Sequence, residues 1–92
     1  MDYACRYGGE EFTIILPQTD KKEAFLIAER LRQDIERHFF IHQEILPLKK
    51  LTVSLGLASF PDSGPSPSKL IAVSDKALYK AKGKGKNNTC SY

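Results

Sequence analysis

Apolar residues recur at two spacings along the chain, and the switches between those spacings mark its elements. Tyr3, Cys5 and Tyr7 alternate with Ala4 and Arg6, and Phe12, Ile14 and Leu16 alternate with Thr13 and Ile15. Both runs have the period of two that belongs to strands. Gly8-Gly9-Glu10-Glu11 lies between them, a short glycine-bearing connection that signals a hairpin, and Pro17 ends the second run. Asp20-Lys21-Lys22-Glu23 has the form of a capping box, with Asp20 as N-cap. Ala24, Ile27, Ala28, Leu31, Ile35 and Phe39 then repeat at helical spacing, which predicts a helix over residues 21–39.

Beyond a connection broken by Pro47, strict alternation returns. Leu51, Val53, Leu55 and Leu57 predict a strand within residues 51–60, and Gly56 inside it points to a bulge or a close backbone approach. Pro61-Asp62-Ser63-Gly64-Pro65 is a turn-rich loop. Ser66 as N-cap and Pro67 as first helical residue open a second helix, whose stripe is Leu70, Val73, Ala77, Leu78 and Ala81. Gly83 and Gly85 close it, and Thr89 to Tyr92 is read as a short frayed strand. The order is β-β-α-β-α with that last strand appended. It predicts an α+β fold, an antiparallel sheet with helices packed on one face.

Composition narrows the class. A chain of 92 residues with 41% hydrophobic residues supports one small core, hence one domain. Neither a membrane-spanning run nor an N-terminal signal core is visible, so a cytoplasmic location without membrane contact is expected. Cys5 and Cys90 lie at opposite ends without metal-ligand spacing, which favours reduced thiols. The net charge is only +3, but Lys69 to Lys86 holds six lysines against the single acid Asp75. Such a cluster suits an anionic partner, or simply a solvated helix face.

Four patterns bear on chemistry. Glu10 and Glu11 are adjacent carboxylates beside two glycines, a grouping able to hold Mg²⁺, which takes one or two carboxylates plus phosphate oxygens. By spacing alone, an ordinary Gly-Gly turn with solvated acids is the favoured account. Lys80-Ala81-Lys82-Gly83-Lys84-Gly85-Lys86-Asn87 suits phosphates, but it is not a P-loop, and its lysines also complement a helix C-terminus. His38 and His42 share helical spacing without a third ligand nearby. Ser54 lacks His and Asp partners for a hydrolytic triad, and no aromatic run supports an RNA-recognition sheet.

Three segments carry a resemblance. Arg6-Tyr7-Gly8-Gly9-Glu10-Glu11-Phe12 with Leu16-Pro17, Leu51 to Ala58, and Asp75-Lys76-Ala77-Leu78-Tyr79-Lys80-Ala81-Lys82 followed by Gly85-Lys86-Asn87 together resemble the GGDEF family, the diguanylate cyclases. The resemblance implies a ferredoxin-like, nucleotidyl-cyclase-like fold and a nucleotidyltransferase reaction. Two GTP molecules, one on each domain of an antiparallel pair, condense to cyclic di-GMP and pyrophosphate. It assigns Gly8 and Gly9 to close approach of the phosphates, and Glu10 to the metal ions, Mg²⁺ or Mn²⁺. Glu11 is assigned to metal binding or to activating the 3′-hydroxyl. Lys82 and Lys86 are assigned to the phosphates, with Lys86 standing where the family more often has Arg. Asp2 matches the acid of the family's product-inhibition site.

The resemblance also implies a shortfall. In the family a first strand, bearing a metal-binding Asp, and helices that read guanine precede the signature hairpin. The chain therefore resembles the C-terminal portion of such a domain, whose parent carries an upstream sensor or regulatory domain and is bacterial. The isolated chain is expected to be inactive or nearly so. Because the first family strand lies mid-sheet, the hairpin is expected either to pair directly with the 51–60 strand or to be completed by a second chain. The competing readings are a catalytically silent GTP-binding or dimerisation module, and a small basic nucleic-acid binder using Lys69 to Lys86.

Overall fold

The computed structural model describes residues 3–8, 11–41, 45 and 51–92. The hairpin comprises β1 (Tyr3–Gly8) and β2 (Glu11–Ile15), followed by helix α1 (Lys21–Arg37). Then come β3 (Leu55–Leu57), helix α2 (Pro67–Gly83) and β4 (Thr89–Ser91). The α+β class and the element order agree with the sequence reading, down to the short last strand.

The helix boundaries follow local chemistry. Asp20 sits in extended conformation and its Oδ1 accepts the Glu23 amide at 2.7 Å, which starts α1. Ser66 does the same for the Lys69 amide at 3.3 Å, with Pro67 behind it, which starts α2. Helix α1 stops at Arg37 rather than at residue 39. His38 turns extended while its amide still bonds the Asp34 and Ile35 carbonyls. Phe39 consequently leaves the apolar stripe and is 70% exposed.

The sheet differs from the expected single antiparallel one. Strands β1 and β2 form an antiparallel pair, β3 and β4 form a separate parallel pair, and no ladder joins the two. Direct pairing of the hairpin with the 51–60 segment is thus overturned. Among the described residues no Cα of β1 or β2 comes within 8 Å of one in β3. The 51–60 strand is also reduced to Leu55–Leu57. A strand bonded along one edge only, to a partner as short as Thr89–Ser91, has little ladder to extend it.

The buried core is small and made of small side chains: Ala24, Ala28, Val73, Ala77, Ala81 and Cys90. Val73, Ala77 and Ala81 recur at intervals of four, so one side of α2 lies close against β3 and β4. Gly56 is where that approach is tightest. A Cβ there would overlap the Ser74 carbonyl oxygen and the Leu78 amide nitrogen. The close-approach alternative for Gly56 therefore holds.

Between the two sheets runs an apolar groove of about 180 Å³. Phe12, Ile14 and Leu16 line it on the hairpin side, and Leu55 and Leu57 on the β3 side. Phe12 is 70% exposed. An aromatic residue that alternation assigns to a buried face stays wet here because, among the described residues, no strand lies between β2 and β3.

Candidate functional site

The hairpin closes where the sequence places it. Gly8 pairs with Glu11, with an irregularity of register between Arg6 and Gly8. Glu11 is the first residue of β2 and is half-buried. Gly9, Glu10 and Asp2 lie outside the described residues, as does His42. Placing the acid at the start of a paired strand ties its Cα to the β1 backbone.

The lysines assigned to phosphate binding sit at the other end of the second helix. Lys82 occupies the last turn of α2 and Lys86 the turn beyond it, and both are exposed. The turn has a distinctive backbone: Gly85, Lys86 and Asn87 have φ of 105°, 64° and 49°. Two successive non-glycine residues in the left-handed region need outside support. The Lys86 amide donates to the Ala81 carbonyl at 3.2 Å, and the Asn88 side-chain amide donates to the Ala81 and Lys86 carbonyls at 2.8 and 2.9 Å.

Asn87 is joined to two other parts of the fold. Its backbone amide donates to Ser54 Oγ at 3.1 Å, just ahead of β3. Its Nδ2 donates to Glu36 Oε2 at 2.7 Å, and its Oδ1 accepts from Arg32 Nη1 at 3.1 Å, both on α1. Arg32 in turn grips Glu29 with two bonds, Nε to Oε2 at 2.8 Å and Nη2 to Oε1 at 3.0 Å. The fork holds the Glu29 carboxyl below its ordinary range, chiefly through the Arg32 hydrogen bonds. The Thr89 hydroxyl, buried and short of full hydrogen-bond geometry, acts on Glu29 in the same direction, against the opposing effect of burial. The Arg32 guanidinium is raised by the same partner.

Sequence reasoning missed this network. Its signal was present: Glu29, Arg32 and Glu36 fall at intervals of three and four on one helix face. Ser54, dismissed as a nucleophile, is a backbone anchor.

Besides the inter-sheet groove, a hollow of about 320 Å³ is lined by Lys76, Ala77, Lys80, Ser91 and Tyr92. Neither is lined by Glu11, Lys82 or Lys86. Among the described residues no group of three or more His, Cys, Asp or Glu side chains gathers to hold a metal ion. The hard oxygen donors of a Glu-Glu pair match Mg²⁺ in kind, but Glu11 alone does not complete a site. No helix among the described residues is long and apolar enough to cross a membrane.

An antiparallel hairpin closed by the Gly8–Glu11 pair, two helices and a lysine-bearing turn define a class, and comparison with known proteins agrees. The family model for the diguanylate cyclase GGDEF domain matches residues 1–88, and the chain belongs to that family. It is 36% identical over 87 residues to the response regulator PleD of Caulobacter vibrioides, spanning 95% of this chain and 19% of that protein. It is 37% identical over 90 residues to a diguanylate cyclase of Vibrio cholerae, spanning 98% of this chain and 27% of the relative. The solved structure of the active GGEEF domain of a diguanylate cyclase from Vibrio cholerae superposes with a TM-score of 0.88 at 35% identity. That superposition covers all of this chain and 56% of the solved one. The chain thus spans about a fifth to a quarter of the length of these curated relatives.

Proposed function

We propose that this chain is the C-terminal portion of a domain that condenses two GTP molecules to cyclic di-GMP and pyrophosphate, and that alone it is an incomplete half-site. The observation that supports this most is the hairpin. The first and last of the family's four signature positions, Gly8 and Glu11, pair across the two strands, within a match running over residues 1–88.

In this reading Gly8 and Gly9 admit the triphosphate. Glu10 would hold Mg²⁺ or Mn²⁺, and Glu11 would either share the metal or take the 3′-hydroxyl proton. A divalent ion bound there offsets negative charge on the phosphoryl oxygens. Lys82 and Lys86 neutralise the terminal phosphates, which leave as pyrophosphate when the 3′-oxygen of the second GTP bonds to the α-phosphorus. The second GTP comes from a second GGDEF domain arranged antiparallel. Lys86 supplies a point charge rather than a planar fork, so its grip is less directional than that of arginine.

The inter-sheet groove supports the incompleteness. It separates two strand edges that lack a ladder between them, where the family resemblance puts a central, acid-bearing strand. We assign Asp2 to the product-inhibition site of that domain, and the whole to a cytoplasmic signalling protein under an upstream regulatory domain.

The chain titrated with GTP and Mg²⁺, followed residue by residue by NMR, is the test. Shifts confined to Gly8–Glu11 and Lys82–Lys86 are expected, with no cyclic di-GMP after prolonged incubation. Clear product formation overturns the half-site reading, and shifts confined to other residues overturn the site assignment.

A further inference from the structure

The left-handed turn after α2 is held by backbone bonds to the last turn of the helix and by the asparagine side chains that follow. Lys86 has φ 64° and Asn87 φ 49°. Both backbone groups of Lys86 are bonded, the amide to the Ala81 carbonyl and the carbonyl to the Asn88 side chain. That fixes Lys86 relative to α2 only. The next residue ties the turn to α1 and to Ser54, just ahead of β3. Asn87 uses its amide nitrogen on Ser54, its Oδ1 on Arg32 and its Nδ2 on Glu36, at 3.1, 3.1 and 2.7 Å. Its carbonyl faces Arg32 Nη1 as well, at 3.4 Å. Arg32 is itself held on Glu29 by two bonds, so the clamp does not swing with the arginine.

We propose that Asn87, clamped by Arg32 and Glu36, is a positioning residue that fixes where Lys86 meets the terminal phosphates of a nucleotide. This rests on the phosphate-site reading above and deepens it. Asparagine suits the task on two counts. It tolerates the left-handed backbone better than other non-glycine residues, and its amide donates to a carboxylate while accepting from a guanidinium. A lysine ammonium on a four-carbon stem is a flexible point charge, so its effective concentration at a phosphate depends on where its Cα is held. A purely structural alternative exists, in which Asn87 only ties α1 to the end of α2. The two differ in whether the effect of Asn87 passes through Lys86.

A double-mutant cycle separates them, with inorganic tripolyphosphate and Mg²⁺ as probe, and GTP alongside. Asn87→Gly keeps access to the left-handed backbone and the amide bond to Ser54 while deleting the side-chain bonds to Arg32 and Glu36. It is expected to weaken tripolyphosphate and GTP about equally, by about tenfold. In a Lys86→Ala background the same change is expected to alter affinity less than twofold. Glu36→Ala, a milder cut of the clamp, is expected to reproduce the pattern weakly, and Glu36→Gln, which still accepts from Nδ2, to restore binding. Full binding by Asn87→Gly, or an equal loss with and without Lys86, overturns the positioning role and leaves the phosphate site standing. No saturable binding of either probe by the unsubstituted chain removes the phosphate site, and the positioning role with it.

Discussion

Gly56 and Leu78 are in backbone contact: a methyl group on Gly56 would lie 2.7 Å from Leu78 Cα and overlap the Leu78 amide nitrogen. Strand β3 and helix α2 therefore meet with no side chain between them. The neighbouring atoms belong to a helix backbone, which cannot rotate aside as a side chain would. Inserting bulk into a packed site costs about 1–3 kcal/mol when side chains yield. With backbone on the far side, Gly56→Ala is expected to cost about 3 kcal/mol or more. A urea-unfolding midpoint barely different from that of the unsubstituted chain would show that β3 shifts freely on α2.

The two helix caps are unequal. Asp20 accepts the Glu23 amide at 2.7 Å, whereas Ser66 accepts the Lys69 amide at 3.3 Å. The carboxylate also faces the positive end of its helix, which a hydroxyl cannot exploit. Asp20→Ala is expected to cost about 1 to 2 kcal/mol and Ser66→Ala about 0.5 kcal/mol. The order of the two thermal midpoints checks this, since both substitutions leave the buried core untouched.

Acid should release the Arg32 fork. The Glu29 carboxyl titrates lower in the folded chain than in the unfolded one, mainly because Arg32 donates two bonds to it. Its contribution to stability is therefore present above the unfolded-state value, and is lost as pH falls through the lowered folded value. Glu29→Gln removes the titration. At neutral pH the variant is expected to be less stable by about 0.5 kcal/mol, the scale of a partly exposed ion pair. The gap should close as pH falls through the carboxylate range. A gap that is constant with pH would mean that Glu29 acts by packing alone.

Much of the fold was legible in the chain because local chemistry decides it. Asp20 and Ser66 mark helix starts by side-chain oxygen, and Pro67 by its fixed φ. Alternation in Tyr3–Tyr7 and Phe12–Leu16 identified the hairpin, whose strands pair with each other. What was not legible depends on neighbours. Leu51 and Val53 alternate as a strand should, yet the ladder stops at Leu55 because β3 is paired on one edge only. Periodicity records which face a residue would bury, not whether a partner edge is there. The parallel pairing of β3 with β4 was similarly hidden, since three residues of Thr-Cys-Ser carry no direction. Of the site, the acid pair and the lysines were visible as motifs. The Arg32–Asn87–Glu36 clamp was not, because it joins residues distant in sequence, through an asparagine whose value lies in its backbone angle.

Lys82 has two possible roles that predict different numbers. It lies in the last turn of α2, where an ammonium group complements the negative end of the helix. If that is its whole purpose, Lys82→Ala lowers stability by about 0.3–1 kcal/mol and leaves nucleotide binding alone. Lys80 shares that last turn, which makes Lys80→Ala the proper control. In the phosphate-site reading the two variants lose similar stability. Only Lys82→Ala weakens Mg²⁺–GTP, by about tenfold, the scale of one charge-assisted contact. Raising the salt concentration should also weaken binding by the unsubstituted chain more than by Lys82→Ala, since one fewer cation meets the phosphates in the variant. Equal binding by Lys80→Ala and Lys82→Ala, measured by calorimetry at matched ionic strength, would reduce Lys82 to a helix cap.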